Sequence, residues 1–450
     1  MSNILINREI YTFIRDFFAT EKKALLISGA RQVGKTFAIR HVAHQIFENV
    51  IELNFAEQPA LKDIFNSSRS TKEILTRISV MTGDRMVKGK TLIFFDEVQE
   101  CPEVITAIKF LVEEGSYRYA LSGSLLGVQL CDIRSVPVGY LTERRMYPLN
   151  LAEFMQAVGM SQSVTDHIKN CFDRRLAVDS VIHRKMLELV NLYLVVGGMP
   201  EVVAKYLATG NIEQVRATQT DILNAYHKDI AKYDLNNKLY IQEIFDIIPA
   251  ELDAKNKRFV LTSLSGTPRF DRLKNSFLWL TDAGVALPTY NINEPRVPLQ
   301  LNMLRNLFKL FLNDVGLLSR FCSAEVVLSI LNGKADINFG AIYENLAAQE
   351  LASHDYKLYY FNSKRQGELD FVIEHNGHAL PIEIKSGKDY KRHNALSNVM
   401  SSAEYDIPMA MVFSNGNVES DGRVLYLPIY MLMHIKEARI ENPVFQFTPL

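Results

Sequence analysis

Long apolar runs are missing from this chain. No uninterrupted apolar stretch approaches the roughly 20 residues needed to span a bilayer. Residues 1–16 mix polar and apolar side chains, so neither a membrane anchor nor an N-terminal signal is expected. Cysteine is scarce: Cys101, Cys131, Cys171 and Cys322 are scattered, with no C-x-x-C pair. That suggests neither a zinc site nor a disulfide framework and fits a reducing cytoplasm. An excess of either charge is missing too. Lys and Arg number 50 against 51 Asp and Glu, a formal net charge of -1. A globally basic nucleic-acid binder is excluded; a local basic face is not. Repeats and low-complexity segments are absent. What remains is ordinary globular composition, 48% hydrophobic and 22% charged. At 450 residues the chain is long for one core, so two or three domains are expected.

The most informative stretch is Leu25-Leu26-Ile27-Ser28 followed by Gly29-Ala30-Arg31-Gln32-Val33-Gly34-Lys35-Thr36 and an amphipathic run from Phe37 to Phe47. The order is strand, G-x-x-x-x-G-K-T loop, helix. Gly29 and Gly34 let the backbone wrap a phosphate and aim its N–H groups inward. The helix start adds its positive dipole end. Lys35 reaches the β- and γ-phosphates of ATP, and Thr36 offers a hydroxyl to Mg²⁺. A second run, Thr91-Leu92-Ile93-Phe94-Phe95, ends in Asp96-Glu97. Ligands of open parallel sheets collect at strand carboxyl ends, so Asp96 is expected beside Thr36 holding Mg²⁺ through water. Glu97 is expected to polarise the attacking water.

Helical spacing of Ile10, Phe13, Ile14, Phe17 and Phe18 predicts a helix over residues 1–21. Strands are expected at 50–55, 91–96 and 117–124, with a helix at 104–112 between the last two. Such alternation predicts a parallel three-layer sheet. Ser122 and Ser124 end the last strand, where they either meet the γ-phosphate or form a plain Ser-Gly-Ser turn. Arg134, Arg144 and Arg145 are arginine-finger candidates.

The phosphate loop, Phe95-Asp96-Glu97, Leu121-Ser122-Gly123-Ser124 and the segment Tyr147 to Phe154 together resemble a prokaryotic family of AAA+-type ATPases. Members pair the ATPase with a C-terminal domain of unknown function that has a PD-(D/E)xK nuclease fold. Gly197-Gly198-Met199-Pro200-Glu201-Val202-Val203 and Gly340-Ala341-Ile342-Tyr343-Glu344-Asn345 resemble two further signatures of that family. One departure stands out: Gly139 is followed by Tyr140 where the family often has arginine, so Arg144 or Arg145 would have to substitute. The resemblance implies a homo-oligomer, in such ATPases a ring with nucleotide between subunits.

Residues 151–235 read as helical and resemble the small lid of such ATPases. In 236–298, Ile241, Ile244, Phe245 and Ile248 form one helical face. Segments 258–261 and 277–280 suggest two more helices, and 282–288 a turn into a wing. Three helices plus a wing is a winged helix-turn-helix, a duplex-DNA reader. Lys255, Lys257, Arg258, Arg269, Arg272 and Lys274 would then contact phosphates, or the domain serves packing alone.

The remaining stretch, 299–450, contains Gly367 to Glu374, a His375-Asn376-Gly377-His378 turn, and Ala379 to Gly387. Asn-Gly between alternating runs signals a hairpin. Leu369, Phe371, Ile373, Leu380, Ile382 and Ile384 are expected on its core face; Glu368, Asp370, Glu383 and Lys385 on the other. Counting outward from the turn puts Asp370 opposite Glu383 and Glu368 opposite Lys385, with Pro381 marking an edge or bulge. Facing carboxylates call for a hard cation, Mg²⁺ with Mn²⁺ as an alternative. Asp, then Glu-x-Lys on the next strand, is the PD-(D/E)xK signature. That likeness makes Asp370 and Glu383 metal ligands, Glu344 a ligand or water orienter, and Lys385 a water activator.

The expected fold is therefore α/β: a three-layer AAA+-like P-loop domain (1–150), a helical lid (151–235), a winged helix (236–298) and an α/β nuclease-like domain (299–450). The expected function is a cytoplasmic Mg²⁺-dependent ATPase acting on DNA, with an endonuclease site at the C-terminus. The alternative is an ATP-gated DNA-binding or regulatory switch without cleavage.

Overall fold

The structure, a computed structural model, describes residues 5–66, 70–83, 86–124, 139–233, 238–254, 258–259, 264, 270–333, 340–387 and 389–437. Its first sheet has five parallel strands in the order β2-β3-β4-β1-β5. They are β1 (Ala24–Ser28), β2 (Asn49–Asn54), β3 (Thr91–Asp96), β4 (Arg118–Gly123) and β5 (Leu141–Arg145). β1 and β3 are buried at every residue because helices cover both faces. Leu25 and Ile27 pack towards α1 (Glu9–Thr20) and α2 (Lys35–Ile46). Ile93 and Phe95 pack towards α3 (Thr71–Thr82) and α4 (Glu103–Glu114). These are the three expected layers.

Helices then fill the stretch up to residue 233: α5 (Leu151–Ala157), α6 (Gln162–Arg174), α7 (Ser180–Val196), α8 (Pro200–Thr209) and α9 (Ile212–Tyr233). No single described helix is long and apolar enough to cross a membrane; α7 and α8 meet at a 118° bend. After α10 (Lys238–Asp253) the expected helix at 258–261 is not formed at Arg258 and Phe259; Val260 and Leu261 lie outside the described residues. So do Lys255, Lys257 and Arg269, and the side chain of Arg272.

The expected wing is also different. From α11 (Phe270–Asp282) the chain turns into β6 (Ala286–Ile292), which pairs with β7 (Met303–Leu312) on one side and β8 (Tyr359–Ser363) on the other. With both edges bonded, β6 is an internal strand of a second sheet rather than a free wing. That sheet has eight strands in the order β12-β13-β11-β10-β9-β8-β6-β7. The others are β9 (Gly367–His375), β10 (His378–Ile384), β11 (Ala410–Ser414), β12 (Glu419–Asp421) and β13 (Val424–Pro428). Helices α12 (Val315–Ser319), α13 (Ala324–Leu331), α14 (Gly340–Ser353) and α15 (Asn394–Ser401) complete the molecule. In α14 every residue from Ile342 to Ala352 is buried, including four with polar side chains.

The β9–β10 hairpin has the register expected from its turn. Asn376 and Gly377 both have positive φ, 49° and 81°, and the ladder runs from His375↔His378 to Phe371↔Ile382. Alternation on β9 breaks, however. Leu369 packs with Val372, in a different core cluster from Phe371 and Ile373. The cause is a bulge: Tyr359 pairs with Val372 but Phe361 pairs with Leu369, so two residues of β9 face Tyr360. Pro381, expected at an edge or bulge, sits opposite Val372 inside the ladder of a central strand.

Candidate functional sites

The first site is built at the carboxyl ends of β1, β3 and β4. The loop from Gly29 to Gly34 demands its glycines. A Cβ on Gly29 (φ 136°) would lie 2.2 Å from the Met146 carbonyl oxygen, and Gly34 (φ 94°) starts α2 in the left-handed region. Gln32 also has positive φ, 66°. Val33 is fully buried and Ala30 nearly so, while Arg31 is exposed. Lys35 is buried, and its Nζ donates to the carbonyls of Gly29 (3.1 Å) and Ala30 (2.8 Å). Burial lowers its pKa to about 8, against the opposing pull of Glu97 and Asp96.

Thr36 Oγ1 lies 2.9 and 3.1 Å from the two carboxylate oxygens of Asp96. Asp96 is buried too, and burial raises its pKa. Asn54 Nδ2 donates to it at 3.0 Å, and so does the Ser122 hydroxyl. A hydroxyl and a carboxylate so placed at a helix N-terminus fit Mg²⁺. Ser122 is thus spent on orienting Asp96. Glu97 has φ 56° and accepts from Gln99, which also reaches Ser124 at 3.5 Å. The family-like Gly197-Gly198-Met199-Pro200 segment is brought here as well: Pro200 Cγ would lie 3.7 Å from a Cβ on Gly34.

Of the arginine-finger candidates, Arg134 lies outside the described residues. Arg144 pairs with Asp355 at 2.7 Å, and Arg145 donates to the Thr281 carbonyl, so both are engaged within their own chain. Arg31, which the sequence marked only as a loop position, pairs with Asp229 of α9 at 2.5 Å. Tyr226 donates to the Arg31 carbonyl at 3.3 Å.

Three comparisons bear on this geometry. Residues 21–155 match the model described as "AAA domain". Residues 21–155 form an AAA-type P-loop ATPase domain. ATP binding and hydrolysis are the chemistry of that domain type. Residues 187–326 match a "Domain of unknown function (DUF8612)" and residues 339–432 a "Domain of unknown function (DUF4143)". No curated protein matches the chain. Among solved structures it is similar to a Walker-type ATPase of Pyrococcus abyssi at 13% identity, covering 70% of this chain and 95% of that one, TM-score 0.46. It is also similar to the Aeropyrum pernix ORC1 protein solved with DNA, at 13% identity, 73% and 93% coverage, TM-score 0.30. For Cdc6p of Pyrobaculum aerophilum the figures are 10%, 73% and 95%, and 0.28.

The second site lies where β9 and β10 part beyond Phe371↔Ile382. Asp370 accepts the Ile384 N–H at 2.9 Å. Glu383 is buried and receives Lys385 Nζ at 2.6 Å on one oxygen; its other oxygen, Oε1, has no hydrogen-bond partner. Burial, reinforced by the Asp370 charge, raises the Glu383 pKa to about 8. Two placements differ from expectation. Glu368 does not face Lys385, whose backbone N–H turns to Phe413 on β11. Instead the Glu368 carboxylate lies 2.7 Å from Lys309 Nζ. Glu344 likewise turns to Lys309, at 4.0 Å.

Lys309 is the residue that sequence reasoning missed. It is fully buried on β7, its Nζ 4.9 Å from the centroid of the Tyr360 ring. A lysine inside Leu307-Phe308-Lys309-Leu310-Phe311 was the available signal, since a core ammonium needs carboxylate partners. Among the described residues, no three His, Cys, Asp or Glu side chains already converge as a metal group.

Proposed function

We propose that this chain is a Mg²⁺-dependent ATPase that acts on DNA and that its second sheet carries a metal-dependent endonuclease site. The ATPase half rests on the phosphate loop, where Lys35 donates to the Gly29 and Ala30 carbonyls and Thr36 contacts Asp96, with Glu97 next in the chain. The nuclease half rests on one observation: Asp370 of β9 and Glu383 of β10 come next to each other just beyond the last paired residues, Phe371 and Ile382, and Glu383 Oε1 is buried without a hydrogen-bond partner. Mg²⁺ keeps several waters and binds through one or two carboxylates, so these two acids suffice for it. In this assignment Asp370 and Glu383 would hold the ion, which would supply water activation for phosphodiester hydrolysis, while Lys385 holds Glu383 and stabilises the developing charge. Arg258 and Lys274, both exposed, are the described basic residues on the proposed DNA side.

Two measurements test the two halves separately. ATP turnover is expected to be lost in Lys35→Ala and Glu97→Gln; undiminished turnover removes the first site. Duplex and branched DNA incubated with Mg²⁺ or Mn²⁺ is expected to be cut by the parent chain. Cleavage that persists in Asp370→Ala and Lys385→Ala removes the second.

A second function, an ATP-gated DNA-binding switch without cleavage, is favoured by the absence of a ready three-ligand group among the described residues. It predicts salt-sensitive, nucleotide-dependent DNA binding with no cutting under either metal.

A further inference from the structure

We propose that Lys309 is a resident cation of the second site, and that the site therefore takes one divalent ion rather than two. The inference rests on the metal-dependent assignment just made. Lys309 belongs to β7, opposite Thr289 of β6. Its ammonium nevertheless meets Tyr360 of β8 and Glu368 of β9, so the side chain reaches across β6 towards the acid cluster. Such a reach has a large desolvation cost unless carboxylates compensate it. Glu368 at 2.7 Å and Glu344 at 4.0 Å supply that compensation. Their fields, with that of Asp370, outweigh desolvation and hold the Lys309 pKa above its ordinary value.

Charge balance then limits the site. Six groups are linked through Glu344 and Asp370, which act on both lysines: Glu344, Glu368, Asp370 and Glu383 against Lys309 and Lys385. Once an incoming ion displaces the Glu383 proton they sum to two negative charges, which one divalent ion cancels. Two-metal nucleases hold two ions about 3.5–4 Å apart with shared carboxylates. Here the carboxylates that would build the second position already hold an ammonium. Glu383 Oε1, a buried oxygen without a hydrogen bond, is on the other pair. Glu344 and Glu368 are thus holders of Lys309, and Asp370 and Glu383 the ion ligands.

The test counts ions on the full chain without nucleotide, in an Asp96→Asn background so that the phosphate loop contributes none. Mn²⁺ binding is followed by titration calorimetry and by loss of the free-ion resonance signal. One Mn²⁺ per chain, removed by Asp370→Ala, is expected. Lys309→Met is expected to take two, and Lys309→Met with Glu344→Gln and Glu368→Gln to return to one. Two ions on the parent overturn the proposal while leaving the metal site standing. So does Lys309→Met binding one ion with unchanged Kd. No ion on the parent overturns the metal assignment itself and this inference with it. Should Lys309→Met fail to fold, Lys309→Arg keeps the charge and must still count one; two ions there overturn the proposal.

Discussion

Glu350 on α14 and His354 just past its end stand four residues apart, their side chains 0% and 1% exposed. Glu350 accepts the Leu151 N–H at 2.6 Å through one oxygen and leaves the other without a partner. Burial raises its pKa to about 8 and lowers that of His354 to about 4. Both are thus neutral in the folded chain at pH 7. The acid, raised above its ordinary 4.5, keeps a proton that the unfolded chain releases, so stability falls as pH rises towards 8. The imidazole, lowered from 6.5, does the reverse between about 4 and 6.5. Below pH 6.5 the two slopes oppose; from 6.5 to 8 only that of Glu350 remains. The melting temperature is therefore expected to fall across pH 6.5–8. Glu350→Gln keeps the acceptor for Leu151 but has no proton to lose, so its melting temperature should fall less steeply there, the remaining slope coming from Glu383, and exceed the parent's at pH 8. An equal decline in both would refute the protonated carboxyl.

At the scale of elements, α14 shows what the Gly340 to Asn345 signature is for. Asn345 accepts the Leu312 N–H (2.8 Å) and donates to the Leu312 carbonyl (3.0 Å) at the end of β7. Gln349 accepts from Val315 N–H at 2.9 Å and donates to Tyr193 of α7 at 2.7 Å. Asn345→Ala leaves two buried backbone groups unpaired and should lower stability by about 2–4 kcal/mol in urea unfolding; a change under about 0.5 kcal/mol would mean that water replaces the side chain. Such motifs are legible as strings but not as contacts, because their partners lie far away in sequence. The phosphate loop was legible because strand, glycines and helix are contiguous. The hairpin register was legible because its turn sets it. Its bulge was not, since it depends on pairing with β8. Nor was β5, an edge strand whose Thr142-Glu143-Arg144-Arg145 run hides strand character behind charge. The wing failed for the same reason as the bulge: its sequence does not say that β8 lies on its other edge.

Across the whole molecule, α14 also joins the two sites. Arg8, 6% exposed, donates to the Val33 carbonyl in the phosphate loop (3.4 Å) and to the Tyr147 carbonyl (2.8 Å) and pairs with Glu153 (2.9 Å). Glu153 closes the capping box that starts α5, and the next contact is Leu151 N–H to Glu350. Glu350 lies six residues along α14 from Glu344, which faces Lys309. A second contact runs through Gly284, where a Cβ would lie 2.9 Å from Ala30 N, two residues before β6 begins. Contiguity alone does not establish coupling; a differential response does. If nucleotide in the loop shifts Val33, Arg8 is the group that feels it, and Glu153 and α14 follow. Binding of a non-hydrolysable ATP analogue is therefore expected to slow amide exchange in α14 several-fold. In Arg8→Met the analogue should still bind, yet leave α14 exchange unchanged. By linkage, Mn²⁺ at the second site should alter analogue affinity by the same factor that the analogue alters Mn²⁺ affinity. If α14 exchanges alike with and without analogue in the parent chain, the two sites work independently.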